Sequence, residues 1–233
     1  MSRRRFLTTA AGVTAGVAGS ALVSSASGSS YAIQGIDAAS YQGYPNWSSV
    51  KSSGRTFAFE KATEGTTYTN PYFATNWSRM KSAGIIRGAY HYGHPGTSAT
   101  NQANYFVSKV NPVSGDLQMM LDIEVTDGVG PSGVWSWIQT FIARIKTLTG
   151  RPGIIYTGYY FWRDSVGNPA NNLNCPLFLA AYVSDPSPYI PRAWPFFTFW
   201  QYSDTGRVPG VSGNVDLDAF NGSLSGLNAL RLP

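Results

Sequence analysis

Apolar positions from residue 31 onward fall into two rhythms. Eight stretches alternate or run apolar for a few residues and are bounded by Gly, Pro, Asn or Ser: "AIQGIDAAS" (32–40), "TFAFEKATE" (56–64), "IIRGAYHYG" (85–93), "LQMMLDIEV" (117–125), "GIIYTGY" (153–159), "LFLAAYVS" (177–184), "FTFWQYS" (197–203) and "NVDLDAF" (214–220). That pattern predicts strands. Between the first five, segments near 47–53, 71–82, 98–110 and 131–148 read as helices. The last is the plainest. Val134, Ile138, Phe141, Ile142, Ile145 and Leu148 recur at helical spacing, with Pro131 near the start and Gly150 and Pro152 just past the end.

Strand, helix, strand repeated four times argues for parallel βαβ units, and eight strands argue for a closed barrel. About 200 residues are fewer than the roughly 250 of a regular (β/α)8 barrel. The later connections are rich in Pro, Gly and Asn and hold no long helical pattern. The expected fold is therefore α/β: a single-domain irregular β/α barrel over residues 31–233, with eight strands and fewer than eight helices.

Residues 1–30 do not join this pattern. "SRRRFL" places Arg3 and Arg4 ahead of Phe6 and Leu7, a mild Ala/Gly/Val/Thr run follows from Thr8 to Val23, and "SSASGSS" offers small residues for cleavage near Ala26. This reads as a twin-arginine leader, too short and too weakly apolar for a membrane anchor. Export to the outside of the cell is expected.

The leader also accounts for most of the apparent basicity. Three of the 17 Lys/Arg lie in the first five positions and all 12 Asp/Glu come after residue 36, so the remainder carries a formal charge near +2. No Lys/Arg block marks a nucleic-acid surface. The single cysteine, Cys175, excludes an internal disulfide and reads as a packed small side chain. Charged residues are few, while seven Trp, 14 Tyr and 12 Phe suit either an aromatic core or a cleft where sugar faces stack on rings.

The acids are the chemical signal. In a strand, residues i and i+2 share a face, so Asp122 and Glu124 point one way and Leu121, Ile123 and Val125 the other. Both acids lie at the C-terminal end of their strand, where α/β barrels build active sites. Asp37 ends the first strand, Glu64 ends the second, and Asp216 and Asp218 lie in the last, which must close against the first. Buried carboxylates are costly unless something uses or pairs them. Such a cluster either binds a divalent metal, cleaves a glycosidic bond, with one acid kept protonated by its neighbour, or is structural charge.

Taken in order, "GIDAASYQG", "FAFEKATEGTTYTNPYF", "AGIIRGAYHYGHP", "MLDIE", "RPGIIYTGYYFW", "PLFLAAYVS" and "FTFWQYSDTGRVPGVSGNVDLDAFNGS" resemble the family-25 glycoside hydrolases, the Ch-type lysozymes, from Ile33 to Ser223. The resemblance implies a flattened, irregular β/α barrel and an N-acetylmuramidase that hydrolyses the β-1,4 bond between N-acetylmuramic acid and N-acetylglucosamine in peptidoglycan. It implies Glu124 as general acid. Asp122 is its partner, orienting the substrate acetamido group or stabilising an oxazolinium-like intermediate. Asp37 and Asp216 are the further acids of the site. Glu64 of "KATEG" and Tyr90, Tyr156, Tyr182, Trp200 and Gln201 fall in cleft-lining motifs. The expected partner is cell-wall peptidoglycan, with no cofactor, no metal, no nucleic acid and a monomeric state.

Three departures stand out. Glu60 replaces the family's usual apolar residue. The loops "VTDGVGPSG" and "FWRDSVGN" lack the cysteines of a disulfide common in bacterial members. Asp218 replaces a common Asn, so Asp216 is taken as the last-strand acid of the site. Among other functions, a family-18-like chitinase would need acids at 117 and 120, where Leu117 and Met120 stand. A zinc amidase needs more than the two histidines of "HYGH", with His91 expected to pack beside Tyr90 and His94 to lie in a loop. An inactive wall-binding module is disfavoured because every acid of the set is present.

Overall fold

The computed structural model describes residues 31–233; the expected leader lies outside them. Strand β1 (Ile33–Ala38) leads through helix α1 (Trp47–Ser52) to β2 (Arg55–Glu64) and a two-residue strand β3 (Tyr68–Thr69). Then come α2 (Phe73–Ser82), β4 (Ile86–Tyr92), α3 (Ala99–Val110), β5 (Met120–Asp122), α4 (Pro131–Thr149) and β6 (Ile154–Gly158). After a single helical turn at Phe161–Ser165, β7 (Leu177–Ala180), β8 (Phe199–Gly206), β9 (Val215–Phe220) and α5 (Leu224–Ala229) complete the chain. The strands hydrogen-bond in the order β1-β9-β8-β7-β6-β5-β4-β2-β3, and β1 also pairs with β2, which closes an eight-stranded barrel. β3 stands outside the ring as a hairpin partner of β2.

The expected barrel is thus present, with two differences. The strand at 117–125 shrinks to Met120–Asp122, because Leu117 instead bridges Arg231 near the C-terminus. The last strand, β9, runs antiparallel to both neighbours. Only residues 207–214 separate it from β8. A parallel return needs a crossover of a dozen or more residues, so the short loop folds as a hairpin and the strand is reversed.

Alternation sorts the strands into two faces. Inward lie Ile33, Phe57, Phe59, Ile86, Tyr90, Met120, Ile154, Tyr156, Phe178, Phe199 and Phe220. Their rings meet edge-on or stacked, as in Phe59–Phe199 at 5.5 Å and Phe178–Phe199 at 5.3 Å between centroids. Leu227 of α5 joins this cluster and is fully buried. Gly35 and Gly88 make room for the rings: a Cβ on either would lie 2.3 Å from the Phe57 or Phe59 ring. Outward, Ile36, Ala58, Leu121, Ile155 and Leu179 pack against the helices. α4 buries Val134, Trp137, Ile138, Phe141, Ile142 and Ile145, while Leu148 at the end of its predicted stripe is exposed. Pro131 opens this helix, and Gly150, at φ 77°, closes it by donating its backbone N–H to the Lys146 carbonyl.

Glu60 lies on the outer face of β2, fully buried. The side-chain amides of Asn70 and Asn76 both donate to its Oε1 at 3.0 Å, and Asn76 in turn accepts from the Trp47 indole at 3.3 Å. No cation among the described residues pairs with it, and Oε2 is buried without a hydrogen-bond partner. Burial, reinforced by the charge of Asp37 and opposed by the two asparagines, pushes its pKa from 4.5 up to about 8. Glu60 is a neutral carboxylic acid at neutral pH, which is how a polar residue occupies an apolar family position.

Because the folded state holds the Glu60 proton more tightly than the unfolded chain, this group's contribution is complete below pH 4.5. It declines as pH rises toward and past 8, by a few kcal/mol at most in order of magnitude. Glu60→Gln should flatten that alkaline decline when unfolding is measured between pH 5 and 9. An identical slope in the variant would show that Glu60 does not titrate as described.

Candidate active site

The reversed β9 decides which acids meet. In the parallel strands the C-terminal ends share one rim; in β9 it is the N-terminal end that reaches it. Asp216, near the start of β9, is therefore paired with Asp37, near the end of β1. Asp218 pairs deeper, with Gly35 on one side and Gln201 on the other. Asp122 sits on the inner face of β5, two residues past the inward Met120, between Tyr92 and Tyr156. Glu124 lies just beyond the strand end, half-buried, in a cleft with Tyr156 and Tyr182. Asp37 and Asp122 are almost wholly shielded from solvent; Asp216 is half-buried.

Gln201 ties these parts together. Fully buried on β8, it donates from Nε2 to Asp37 Oδ2 at 2.5 Å. Its Oε1 accepts from the Tyr156 hydroxyl at 2.8 Å and from the Tyr182 hydroxyl at 2.6 Å. One amide on β8 thus ties an acid on β1 to two phenols, one on β6 and one just past β7. The Tyr182 hydroxyl is held above its ordinary pKa by burial and then by Asp216, Asp37, Asp204 and Glu124, so it stays a neutral donor.

Three expected cleft residues are placed elsewhere. Trp200, next to Gln201 on a strand, faces the opposite way; it is fully buried, donates to the Ala181 carbonyl at 2.7 Å and packs against Phe197 and Tyr202. Tyr90 has the right face but lies fully buried among the interior rings. Glu64 lines a separate recess with His94 and Asp127. Burial alone would raise its pKa, but Lys61 at 2.5 Å and His94 at 3.1 Å outweigh burial and hold it below the ordinary carboxylate range.

The histidines divide as one buried and one structural. His91 does not pack beside Tyr90; it lies between the rings of Phe106 and Phe141, bonded to Thr63 and Gln102. Burial depresses its pKa to about 4. His94 is in a loop, as expected, yet its Nδ1 is 3.0 Å from Asp127 and its Nε2 3.1 Å from Glu64. Cys175 is buried, with its thiol pushed up to about 12 by desolvation. Among the described residues, no group of three or more His, Cys, Asp or Glu is placed to hold a metal ion.

Several cleft residues were not singled out from sequence. Tyr159, Tyr160, Phe161 and Tyr189 line the same cleft as Glu124. A signal for one of them existed: continuing the inward phase of β6 from Tyr156 through Gly158 arrives at Tyr160.

An acid set on one rim of a closed barrel, bordered by an aromatic cleft, is the geometry of glycoside hydrolysis. Residues 36–211 match the family described as glycosyl hydrolases family 25. The chain belongs to glycosyl hydrolase family 25. It is 44% identical to lysozyme M1 of Streptomyces globisporus over 208 residues, covering 85% of this chain and 71% of that protein. It is 36% identical to an N,O-diacetylmuramidase of Arthroderma benhamiae, covering 84% and 85% of the two chains. A bacterial lysozyme from Streptomyces coelicolor superposes with a TM-score of 0.81 at 43% identity, covering 85% of this chain and 96% of that one.

As a family-25 glycoside hydrolase, this chain lacks a disulfide on the loop that follows Glu124, and a polar clamp stands there instead. Asp127 accepts from the Gly96 amide at 3.1 Å and contacts His94, and a Cβ on Gly96 would lie only 3.0 Å from that of Asp127. A part-exposed clamp contributes little globally, roughly 0–1 kcal/mol. Asp127→Ala should therefore lower the melting temperature by no more than about 4 °C yet speed proteolysis within residues 125–130 and reduce activity. Unchanged proteolysis of that segment would mean the loop is held by other contacts.

Proposed function

We propose that this protein is an N-acetylmuramidase, hydrolysing the β-1,4 bond between N-acetylmuramic acid and N-acetylglucosamine in cell-wall peptidoglycan. The observation that carries the reading is the placement of Glu124. It borders an open aromatic cleft, and its Oε1 is shielded from water with no hydrogen-bond partner among the described residues. That oxygen is free to engage a substrate atom.

In this reading the Glu124 carboxyl gives its proton to the glycosidic oxygen as the C–O bond to the anomeric carbon breaks. Asp122, carried by the neighbouring inward position, supports the positive charge that develops on the sugar or its acetamido group. Water then adds to the anomeric carbon and the proton balance is restored at the carboxylates. Asp37 and Asp216 sit across the mouth, and Gln201, held by Asp37, aims the Tyr156 and Tyr182 phenols. Their role is orientation of the sugar that bears the charge.

Export fits a wall polymer as substrate. The Arg3–Arg4 leader would bring the folded enzyme to the outside, and among the described residues no helix is long and apolar enough to cross a membrane.

Digestion of purified peptidoglycan followed by identification of the new ends tests the reading. New reducing muramic acid is the expected product. New reducing glucosamine would favour a glucosaminidase or chitinase-like activity, new amines an amidase, and no products a binding module.

A further inference from the structure

The cleft that Glu124 lines is walled in part by the segment after β6, which carries Tyr159, Tyr160 and Phe161, and by the loop after β7, which carries Tyr189. The three tyrosine rings brace one another edge-on: Tyr159–Tyr160 at 5.2 Å, Tyr159–Tyr189 at 6.2 Å and Tyr160–Tyr189 at 6.3 Å between centroids. The Arg163 guanidinium lies 5.0 Å from the Tyr160 centroid and 5.5 Å from that of Tyr159. It is itself fixed by two bonds to Asp164, at 2.6 and 2.8 Å. Beside these rings the lining is small, with Gly158, Ala180 and Ala181.

Tyr160 keeps 47% of its surface in water although it is held among two other rings and a cation. An exposed, braced aromatic is already ordered, so a ligand that stacks on it loses little further side-chain entropy. The wall offers flat apolar faces and phenol edges rather than rows of backbone donors and acceptors. That matches a pyranose ring, which has one face of C–H bonds and a rim of hydroxyls, better than an extended peptide, which needs main-chain partners. It is also continuous with the cleft where a glycan strand is cut.

We infer that Tyr159, Tyr160 and Tyr189 form a subsite for a further hexose ring of the same glycan strand, beyond the two sugars that flank the cleaved bond. The inference rests on the reading that Glu124 marks the point of cleavage. The subsite gives the enzyme a preference for long strands over short oligosaccharides, through binding rather than through the chemical step.

Glycan strands stripped of their stem peptides separate the possibilities. On long stripped strands, Tyr160→Ala should raise KM about three- to tenfold, the range of one aromatic contact, with kcat within about twofold. On the shortest oligosaccharide cleaved the increase should vanish, and Tyr160→Phe should keep the parent KM on both. An unchanged KM for Tyr160→Ala on long strands overturns the subsite. A rise seen only when stem peptides are present overturns the sugar as occupant in favour of the peptide. If the parent protein cleaves no glycan, the hydrolytic reading fails, and calorimetric binding of the same strands still decides the subsite. Weaker binding by Tyr160→Ala upholds it, and equal binding overturns it.

Discussion

Between Gly206 and Val215 the chain turns back in a loop too short for a crossover, and the rest of the site depends on that turn. A parallel ninth strand would put Asp216 at the far end of the barrel from Asp37. The hairpin reverses it, so the two acids are register partners at the same mouth, and Gly35 and Gln201 flank Asp218 below them. Closure of the barrel and assembly of the acid cluster are one event. This is how a chain with few acids gathers several of them on one rim.

Beneath the rim the barrel is filled largely by aromatic and aliphatic side chains, which shield the carboxylates from below. Shielded acids need partners, and Gln201 is placed where several requirements meet. Its amide nitrogen serves Asp37, and its oxygen serves two tyrosines on β6 and just past β7. Such a network fixes geometry more than it adds stability. Glu60 shows the other solution to a buried acid. On the outer face, with only asparagine amides for company, it keeps its proton and ceases to be a charge.

The parts of this arrangement that follow from a period of two were legible in the sequence. Asp37, Asp122 and Asp216 fall on inward phases of strands whose existence the apolar runs announce, and the three longer helices, α2, α3 and α4, carry apolar stripes. Gln201 and Trp200 are neighbours on one strand, so both cannot face the cleft, and Trp200 turned out to be the packing residue. Depth is a different matter: Tyr90 shares the inward phase but lies among the interior rings, and nothing in a one-dimensional pattern distinguishes rim from interior. The loops were the least legible. His94, Asp127 and Tyr189 reach their partners through backbone turns that no periodicity encodes, Asp127 itself at a φ of 50°. β3, at two residues, has too few for a pattern to accumulate, and α5 offers a single Leu224–Leu227 pair within a Ser-, Gly- and Asn-rich stretch.

The central claim is a division of labour between two inward acids on one strand end: Glu124 supplies a proton and Asp122 supplies charge. The direct test is the rate of Glu124→Gln and Asp122→Asn on native wall and on a glycoside whose leaving group needs no protonation. On native wall both should be severely impaired, Glu124→Gln by about 10²–10⁴-fold. On the activated glycoside Glu124→Gln should recover much of its rate and Asp122→Asn should not. Recovery by Asp122→Asn instead would reverse the two roles, and near-full activity of Glu124→Gln on native wall would contradict the account.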